Sequence, residues 1–152
     1  MRDEEAARRF VERLSRILTD WGMPPMAARV LVTLTVAEED ALSAPDLCER
    51  LEVSPAAISG AVRYLIQLGM VARDPVPGSR RDVYRLLHDS WWEVAMTKVG
   101  LYKTLAGMVD EGIEAFGGPD THAGQTMTEL RDFYLFMHEE IPLLYDKWRA
   151  TR

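Results

Sequence analysis

Apolar residues recur at steps of three and four near both ends of the chain, which is the spacing of amphipathic helices. Near the N-terminus, Phe10, Leu14, Ile17 and Trp21 follow one another at steps of 4, 3 and 4, so we expect a helix over residues 4–21. The last helix carries a seam of the same kind, formed by Met127, Leu130, Tyr134, Met137, Ile141, Leu144 and Trp148. This is heptad spacing, and such seams indicate that both terminal helices pack against partner helices.

Between residues 43 and 69 the pattern predicts two short helices, each with its own start signal. Ser43 and Ser54 are N-cap residues, and a proline that suits a first helical turn follows each of them within two positions. Gly69 is expected to end the second helix in the left-handed conformation. The residues of the second helix that are expected to face the core are Ile58, Ala61, Val62, Leu65 and Ile66.

A two-stranded ribbon is expected directly after Gly69. The strands are predicted at residues 70–73 and 82–86, the turn between them is rich in Pro and Gly, and Arg80 and Arg81 lie at or just past its tip. Two capped helices followed by a ribbon are the layout of a winged helix-turn-helix, which places its second helix in the major groove of duplex DNA. The predicted fold class is therefore mainly α (α+β), with a two-stranded wing and long helices at both termini.

The outer face of the second predicted helix is small and weakly charged. It carries Ala56, Ser59, Gly60 and Arg63. A helix that lies in a DNA groove needs such side chains, because its backbone must approach phosphates and base edges. The alternative is that this face packs against another helix of the same protein. The residues that we expect to contact DNA are Ser43, Ser54, Pro55, Ala56, Ser59, Gly60, Arg63, Arg80 and Arg81.

The charge distribution favours the same surface. Residues 54–88 hold five arginines against two aspartates, a local net charge of +3, whereas the chain of 152 residues carries −6. A local basic footprint matters more for DNA binding than the net charge of the whole protein. Because this footprint is modest, we expect two copies of the chain to bind DNA together.

These motifs resemble those of MarR-type transcription regulators, and more closely those of the GbsR-like branch. The resemblance covers residues 31–87 and is clearest at LSAPDL (42–47), VSPAAIS (53–59), YLIQLG (64–69) and VPGSRRDVY (76–84). It implies a bacterial homodimeric regulator, usually a repressor that a small ligand releases from a double-stranded DNA operator. It also implies that residues 54–63 form the recognition helix and that Arg80 and Arg81 belong to the wing. Such sequences often have Gly where this chain has Glu52, and Arg or another donor where it has Gly60.

The terminal helices are expected to form a two-fold interface between two copies. Ser90 and Glu93 are a capping box that starts a long helix running to Phe116, and Pro142 predicts a kink near residues 138–142. The expected dimerisation residues are Phe10, Leu14, Ile17, Trp21, Leu130, Tyr134, Met137, Ile141, Leu144 and Trp148. The predicted divisions are residues 1–22 (dimerisation helix), 23–88 (DNA-binding domain) and 89–152 (helical dimerisation region).

Aromatic and methionine residues near the junctions of these regions form a candidate effector pocket. An aromatic cage there would attract a quaternary ammonium ligand by cation–π interaction. The candidate residues are Trp21, Met26, Trp91, Trp92, Tyr102 and Phe133. The alternative, which the residue types favour, is that they only pack in the core and the dimer interface. Cys48 lies beside Leu47 and Leu51, which favours a packing role over redox sensing.

Composition excludes several other classes of function. The chain is 47% hydrophobic and 28% charged, with no run long enough for a membrane span and an N-terminus too polar for a signal peptide, so we expect a cytoplasmic protein. Its three histidines show no metal-ligand spacing, and no catalytic arrangement is recognisable, so neither a metal, a cofactor nor an enzyme is expected. The alternative to a DNA-binding regulator is a winged-helix protein-interaction module that does not bind DNA.

Overall fold

The computed structural model describes residues 3–87, Trp91, Met96 and residues 99–152. The chain divides into two compact units, residues 1–90 and residues 91–152. The architecture is mainly helical with one small antiparallel sheet, so the predicted fold class is confirmed. None of the described helices is long and apolar enough to cross a membrane.

The first unit contains four helices and a three-stranded antiparallel sheet. In chain order its elements are α1 (Glu4–Asp20), α2 (Pro25–Val36), β1 (Leu42–Ser43), α3 (Ala44–Leu51), α4 (Pro55–Gln67), β2 (Val71–Pro75) and β3 (Asp82–Leu86). The strand order is β1-β3-β2, so the second wing strand is central. The sequence analysis predicted both wing strands but missed β1, which pairs Leu42 with Tyr84 and Ser43 with Val83.

Helix α2 is the centre of the first unit. Ala28, Val30, Leu31 and Val32 are each 0% exposed, so most of the circumference of this helix is buried, whereas Arg29 is half-buried and Thr35 is exposed. Helices α1, α3 and α4 and strand β3 all pack against it. Its buried Thr33 hydroxyl donates a hydrogen bond to the carbonyl oxygen one turn earlier in the helix, at 2.7 Å, so no polar group is left unsatisfied there.

The predicted core face of α4 is confirmed, apart from one residue. Ile58, Ala61, Val62 and Leu65 are buried, whereas Ile66 is half-buried. After the helix, Gly69 has a φ of 75°, as its predicted role at the helix end requires. The first wing strand begins two residues later.

The second unit contains α5 (Val99–Ala115) and α6 (His122–Ala150), which run antiparallel. The contacts that fix the pair are His138 Nδ1 to Val99 O at 3.1 Å, Tyr134 to Tyr102 at 6.1 Å between ring centroids, and Arg131 to Asp110 Oδ1 at 2.7 Å. Gly117 and Gly118, which follow α5, have φ values of 95° and 87°. The predicted end of this helix is therefore confirmed. Thr121 caps α6 by accepting a hydrogen bond from the Gly124 N–H at 3.0 Å.

Helix α6 continues through Pro142. Because proline has no N–H, it donates no hydrogen bond to the carbonyl of His138, and a bend at this point stays a prediction. The capping box predicted at Ser90 and Glu93 lies outside the described residues. Trp91, within the same predicted helix, is helical.

Gly124→Ala is expected to destabilise the second unit. A Cβ at this position would lie 1.9 Å from the Gly118 carbonyl oxygen, so the turn before α6 would have to move. Overpacking of this kind costs about 1–3 kcal/mol. Gly107→Ala is the matched control, because a Cβ there meets nothing within 4 Å. It is expected to stabilise α5 by up to about 1 kcal/mol. Urea unfolding followed by circular dichroism measures both variants, and equal unfolding midpoints would contradict this packing.

Candidate nucleic-acid interface

Ser43 joins helix α3 to the wing. Its hydroxyl oxygen accepts a hydrogen bond from the Asp46 backbone N–H at 3.2 Å, and its own N–H donates to Asp46 Oδ2 at 2.9 Å. This reciprocal capping box starts α3, so the predicted N-cap is confirmed. Because Ser43 also pairs with Val83 in the sheet, the start of α3 is fixed to the central wing strand.

The turn between α3 and α4 contains a residue in the left-handed conformation. Glu52 has φ 54° and ψ 48°, which glycine adopts at lower cost in free energy. The Val53 N–H donates back to the Cys48 carbonyl at 3.2 Å, which closes the turn. Ser54 then caps α4 by accepting a hydrogen bond from the Ala57 N–H at 3.3 Å, as predicted. The short turn therefore determines where α4 begins.

The outer face of α4 is open to solvent. Ala56, Ser59, Gly60 and Arg63 are all exposed, and a Cβ added at Gly60 would meet no atom within 4 Å. Within residues 3–87, therefore, no helix packs against this face. The Arg63 side chain lies along the same face, with its Nη2 atom 3.5 Å from the Ser59 hydroxyl. The face of α4 that is expected to contact DNA bases thus consists of two small residues, one hydroxyl group and one guanidinium group.

Two arginines of the wing are paired with aspartates across its strands. Arg85 donates to Asp74 Oδ2 at 2.5 Å, and Arg73 lies 3.9 Å from Asp82 Oδ2. The Arg73 guanidinium also lies 5.7 Å from the centre of the Tyr84 ring. These cross-strand contacts link β2 and β3. They also neutralise two of the five arginines that were counted in residues 54–88.

The tip of the wing is a tight turn. The Val76 N–H donates to the Arg81 carbonyl at 3.2 Å, and the Arg81 N–H donates to the Ser79 hydroxyl at 3.1 Å. Gly78 has a φ of 76°, which the turn requires. Arg80 and Arg81 are both exposed at this tip. Their backbone is therefore held in place while their side chains extend into solvent.

This surface carries positive charge that no carboxylate of the described residues neutralises. In the part of the chain that the structure describes, Arg63, Arg80 and Arg81 form no ion pair, in contrast to Arg73 and Arg85. Hydrogen bonds from Ser43 hold the pKa of Asp46 below its ordinary value, and the charges of Arg50 and Arg81 lower it further. The carboxylate at the start of α3 is thus ionised at neutral pH and lies within the field of the wing tip.

The predicted dimerisation residues differ in their exposure. Six of them are exposed, namely Phe10, Ile17, Trp21, Leu130, Leu144 and Trp148. Trp21 is exposed by 79%. Leu14, Tyr134, Met137 and Ile141 are half-buried, and Tyr134 contacts Tyr102 of its own unit. The seam of α6 therefore combines half-buried side chains, one of which contacts α5, with side chains that face solvent.

Further apolar side chains of the second unit are exposed that the sequence analysis did not assign to the interface. They are Leu101, Met108, Phe116, Phe133, Leu135, Phe136 and Leu143. A helix surface with this much exposed apolar area is typical of an interaction site. The heptad count missed Phe133, Leu135, Phe136 and Leu143 because the seam used for prediction selects only one face of α6, and it missed Leu101, Met108 and Phe116 because it was not applied to α5.

The candidate effector residues fall in both units. Trp21 and Met26 belong to the first unit, whereas Trp91, Tyr102 and Phe133 belong to the second. Trp92 lies outside the described residues. In the second unit, Tyr134 brings Tyr102 and Phe133 together, since its ring lies 6.1 and 6.0 Å from theirs.

Other reactive chemistry is sparse in the described part of the chain. Cys48 is a free, half-buried thiol, so it is less buried than a purely apolar packing role would predict. No group of three His, Cys, Asp or Glu side chains among the described residues is arranged to hold a metal ion.

Known proteins are similar to both halves of the chain. A sequence model described as "MarR family" matches residues 21–82, and one described as "MmpR5-like MarR family transcriptional regulator" matches residues 89–151. The HTH-type transcriptional regulator MmpR5 of Mycobacterium tuberculosis is 26% identical over 132 residues, which are 87% of this chain and 80% of MmpR5. The crystal structure of a transcriptional regulator superposes with a TM-score of 0.77 at 24% identity, over 97% of this chain and 99% of that one. The latter similarity shows the fold.

Asp46→Asn is expected to destabilise the first unit by about 0.5–1 kcal/mol at neutral pH, because a charged capping group is lost at the N-terminus of α3. Since folding lowers the pKa of Asp46 below 3.8, its contribution is complete above that value and is lost as the pH falls through the lowered pKa. The stability difference between wild type and Asp46→Asn should therefore be present at pH 7 and shrink in acid.

Urea unfolding at a series of pH values measures this difference. Glu49→Gln is the control, because Glu49 is an exposed carboxylate of the same helix with no hydrogen bond or ion pair in the described structure. A stability difference for Asp46→Asn that does not change with pH would refute the ionised capping box.

Proposed function

We propose that this chain is a member of the MarR family of winged helix transcriptional regulators and that it binds specific sites in duplex DNA as a homodimer. In this proposal α4 lies in the major groove and the wing tip contacts the adjacent backbone or minor groove. The observation that carries the proposal is the exposed face of α4 beside three arginines that have no carboxylate partner. Regulation by a small ligand, and membership of the GbsR-like branch in particular, are further parts of the proposal.

The face of α4 suits a groove in both shape and chemistry. Ala56 and Gly60 let the helix backbone approach the DNA, while Ser59 and Arg63 supply hydrogen-bond donors. An arginine that reaches a base edge can donate two parallel hydrogen bonds to guanine, which is a specific contact. We therefore assign direct base readout chiefly to Arg63, and a smaller part to Ser59.

Arg80 and Arg81 would supply the electrostatic contacts to DNA. Exposed guanidinium groups on a protruding turn bind phosphates or enter a minor groove, where the negative potential is strong. The caps of the two helices, Ser43 and Ser54, also lie at helix N-termini, where backbone N–H groups and the helix dipole favour a phosphate. Pro55 and Ala56 keep the first turn of α4 small enough for that approach.

A dimer would compensate for the small number of contacts that each subunit makes. Two recognition helices presented to half-sites about 34 Å apart convert the second binding event into an intramolecular one. The exposed apolar residues of α1, α5 and α6 supply a surface that two chains can bury. We propose that the predicted seam residues, together with Phe136 and Leu143, form this interface.

The second candidate function is a winged-helix module that binds protein rather than DNA. It is favoured by the net charge of −6 and by Gly60, which provides no side chain for a base contact. The two functions differ in their dependence on salt, since the release of counterions from DNA makes its binding weaken steeply as salt increases.

Substitution of Arg63, Arg80 or Arg81 by Ala is expected to weaken DNA binding. Each lost phosphate contact should reduce the slope of log affinity against log salt by about 1, and loss of a base contact at Arg63 should cost about 1–3 kcal/mol and relax the sequence preference. The DNA sequence comes from selection on genomic fragments, and fluorescence anisotropy across a salt series measures the affinity.

Arg73→Ala and Arg85→Ala are the matched controls, because they remove the same charge from arginines that are already paired with aspartates. They should weaken binding less than the three unpaired positions do. If selection enriches no sequence and the triple Arg63, Arg80, Arg81 variant binds DNA as well as the wild type, the protein-binding alternative replaces the proposal.

The dimer is tested with Leu144→Glu, which places a charge on a side chain that is 61% exposed in the single chain. We expect the wild type to elute with twice the 17.3 kDa mass of the chain, and the variant to shift to monomer at micromolar concentration. Size-exclusion chromatography with light scattering measures the mass. Gln125→Glu, an exposed polar position on the same helix, is the control. A monomeric wild type would contradict the proposed interface.

A further inference from the structure

A cavity of about 510 Å³ opens in the first unit between α1, α2 and the C-terminal end of α3. Its volume lies within the range of about 300–1,000 Å³ that is typical of small-molecule sites. The exposed face of α4 contributes no residue to it. The cavity therefore belongs neither to the proposed DNA surface nor to the aromatic residues that the sequence suggested as an effector pocket.

The cavity has an apolar floor and a wall that is held by hydrogen bonds. Val11, Val36 and the buried Leu51 supply apolar side chains from three different helix segments. Arg29 links these segments, because its guanidinium donates to Glu12 Oε1 at 2.9 Å and to the Leu51 carbonyl at 3.2 Å. The shape of the cavity thus rests on specific contacts among the surrounding helices.

The charge of the cavity wall is negative. Five glutamates against three arginines line it, a net charge of −2. Two of those arginines are already paired, Arg29 with Glu12 and Arg50 with Glu39, and the bond from Arg50 lowers the pKa of Glu39. In addition, α2 ends at the cavity and α3 ends at Leu51, so two helix C-termini add partial negative charge.

We propose that this cavity binds a small amphipathic cation, with an apolar body on the floor and an amidinium, guanidinium or ammonium group among the glutamates. The protein's own Arg29 and Arg50 show that the wall accommodates guanidinium groups. Among the residues that the structure describes, no aromatic side chain lines the cavity, so recognition would occur by ion pairing and apolar burial rather than by cation–π contact. Glu52 has no ion pair in the described structure, and it is the carboxylate that we assign to the ligand.

The position of the site indicates a regulatory role. Leu51 and Glu52 line the cavity and lead directly to Ser54, the residue that caps α4. A ligand that moves this turn would move the start of α4, and would therefore change the position of its exposed face relative to bound DNA. This consequence rests on the proposed DNA-binding function, whereas binding of the cation does not.

Titration of the full chain with biphenyl-4-carboxamidine, in the absence of DNA, tests the site by calorimetry and NMR chemical shifts. Biphenyl-4-carboxamide is the neutral control of the same shape, and biphenyl-4-carboxylate is the anionic one. We expect the amidine to bind at least tenfold more tightly than the amide, and the carboxylate not to bind. Equal affinities for the amidine and the amide would overturn the assignment of a cation.

Two substitutions locate the site. Glu52→Gln should weaken binding of the amidine about fivefold, the effect of removing one exposed opposite charge at contact distance. Val11→Phe should abolish binding by filling the floor. Glu49 lies outside the cavity, so the Glu49→Gln variant should bind the amidine like the wild type. If Glu52→Gln also binds like the wild type, the cavity is not the site. Because no DNA is present, this result is independent of whether the arginine variants lose DNA binding.

Discussion

The burial of helix α2 is the constraint on which the first unit depends. A helix with so wide an apolar face must be covered by other elements, and here α1, α3, α4 and β3 pack against it. Once α4 has placed Ile58 and Leu65 against α2, its remaining face has to point away from the core. The candidate reading surface is therefore a consequence of core packing: the same contacts that stabilise the unit also decide which residues of α4 are available to a partner.

Local pairing of charges, rather than net charge, gives the surface its electrostatic character. The chain as a whole is acidic, and two of the five arginines in residues 54–88 are neutralised across the wing strands. What remains on this surface is the guanidinium group of Arg63 on α4 and those of Arg80 and Arg81 at the wing tip. In the same unit, acidic side chains surround the cavity near α1, α2 and α3. Opposite charges are thus separated within the first unit, which is why we propose a different kind of partner for each surface.

Much of this arrangement could be predicted from the sequence, because its signals are local. The caps at Ser43 and Ser54, the glycine after α4 and the core face of α4 each depend on residues within a few positions of one another. Strand β1 could not be predicted, since two residues carry no periodicity and its pairing with β3 spans about forty positions. For the same reason, residue types alone did not indicate which arginines are paired. Likewise, heptad spacing identified the seam on α6 but not the apolar side chains exposed on its other faces.

Gly60 has a consequence for how such a protein tolerates change. Glycine within a helix lowers the free energy of unfolding by about 0.5–1 kcal/mol relative to alanine. At Gly60 an added Cβ would meet no atom within 4 Å, so an alanine would fit. Selection for thermal stability alone would therefore replace this residue early, at no steric cost to the fold. Any programme that ranks substitutions by folding free energy would favour that change, although it adds bulk where α4 is proposed to meet DNA. If α4 binds DNA as proposed, stability and recognition impose opposite demands on this one position.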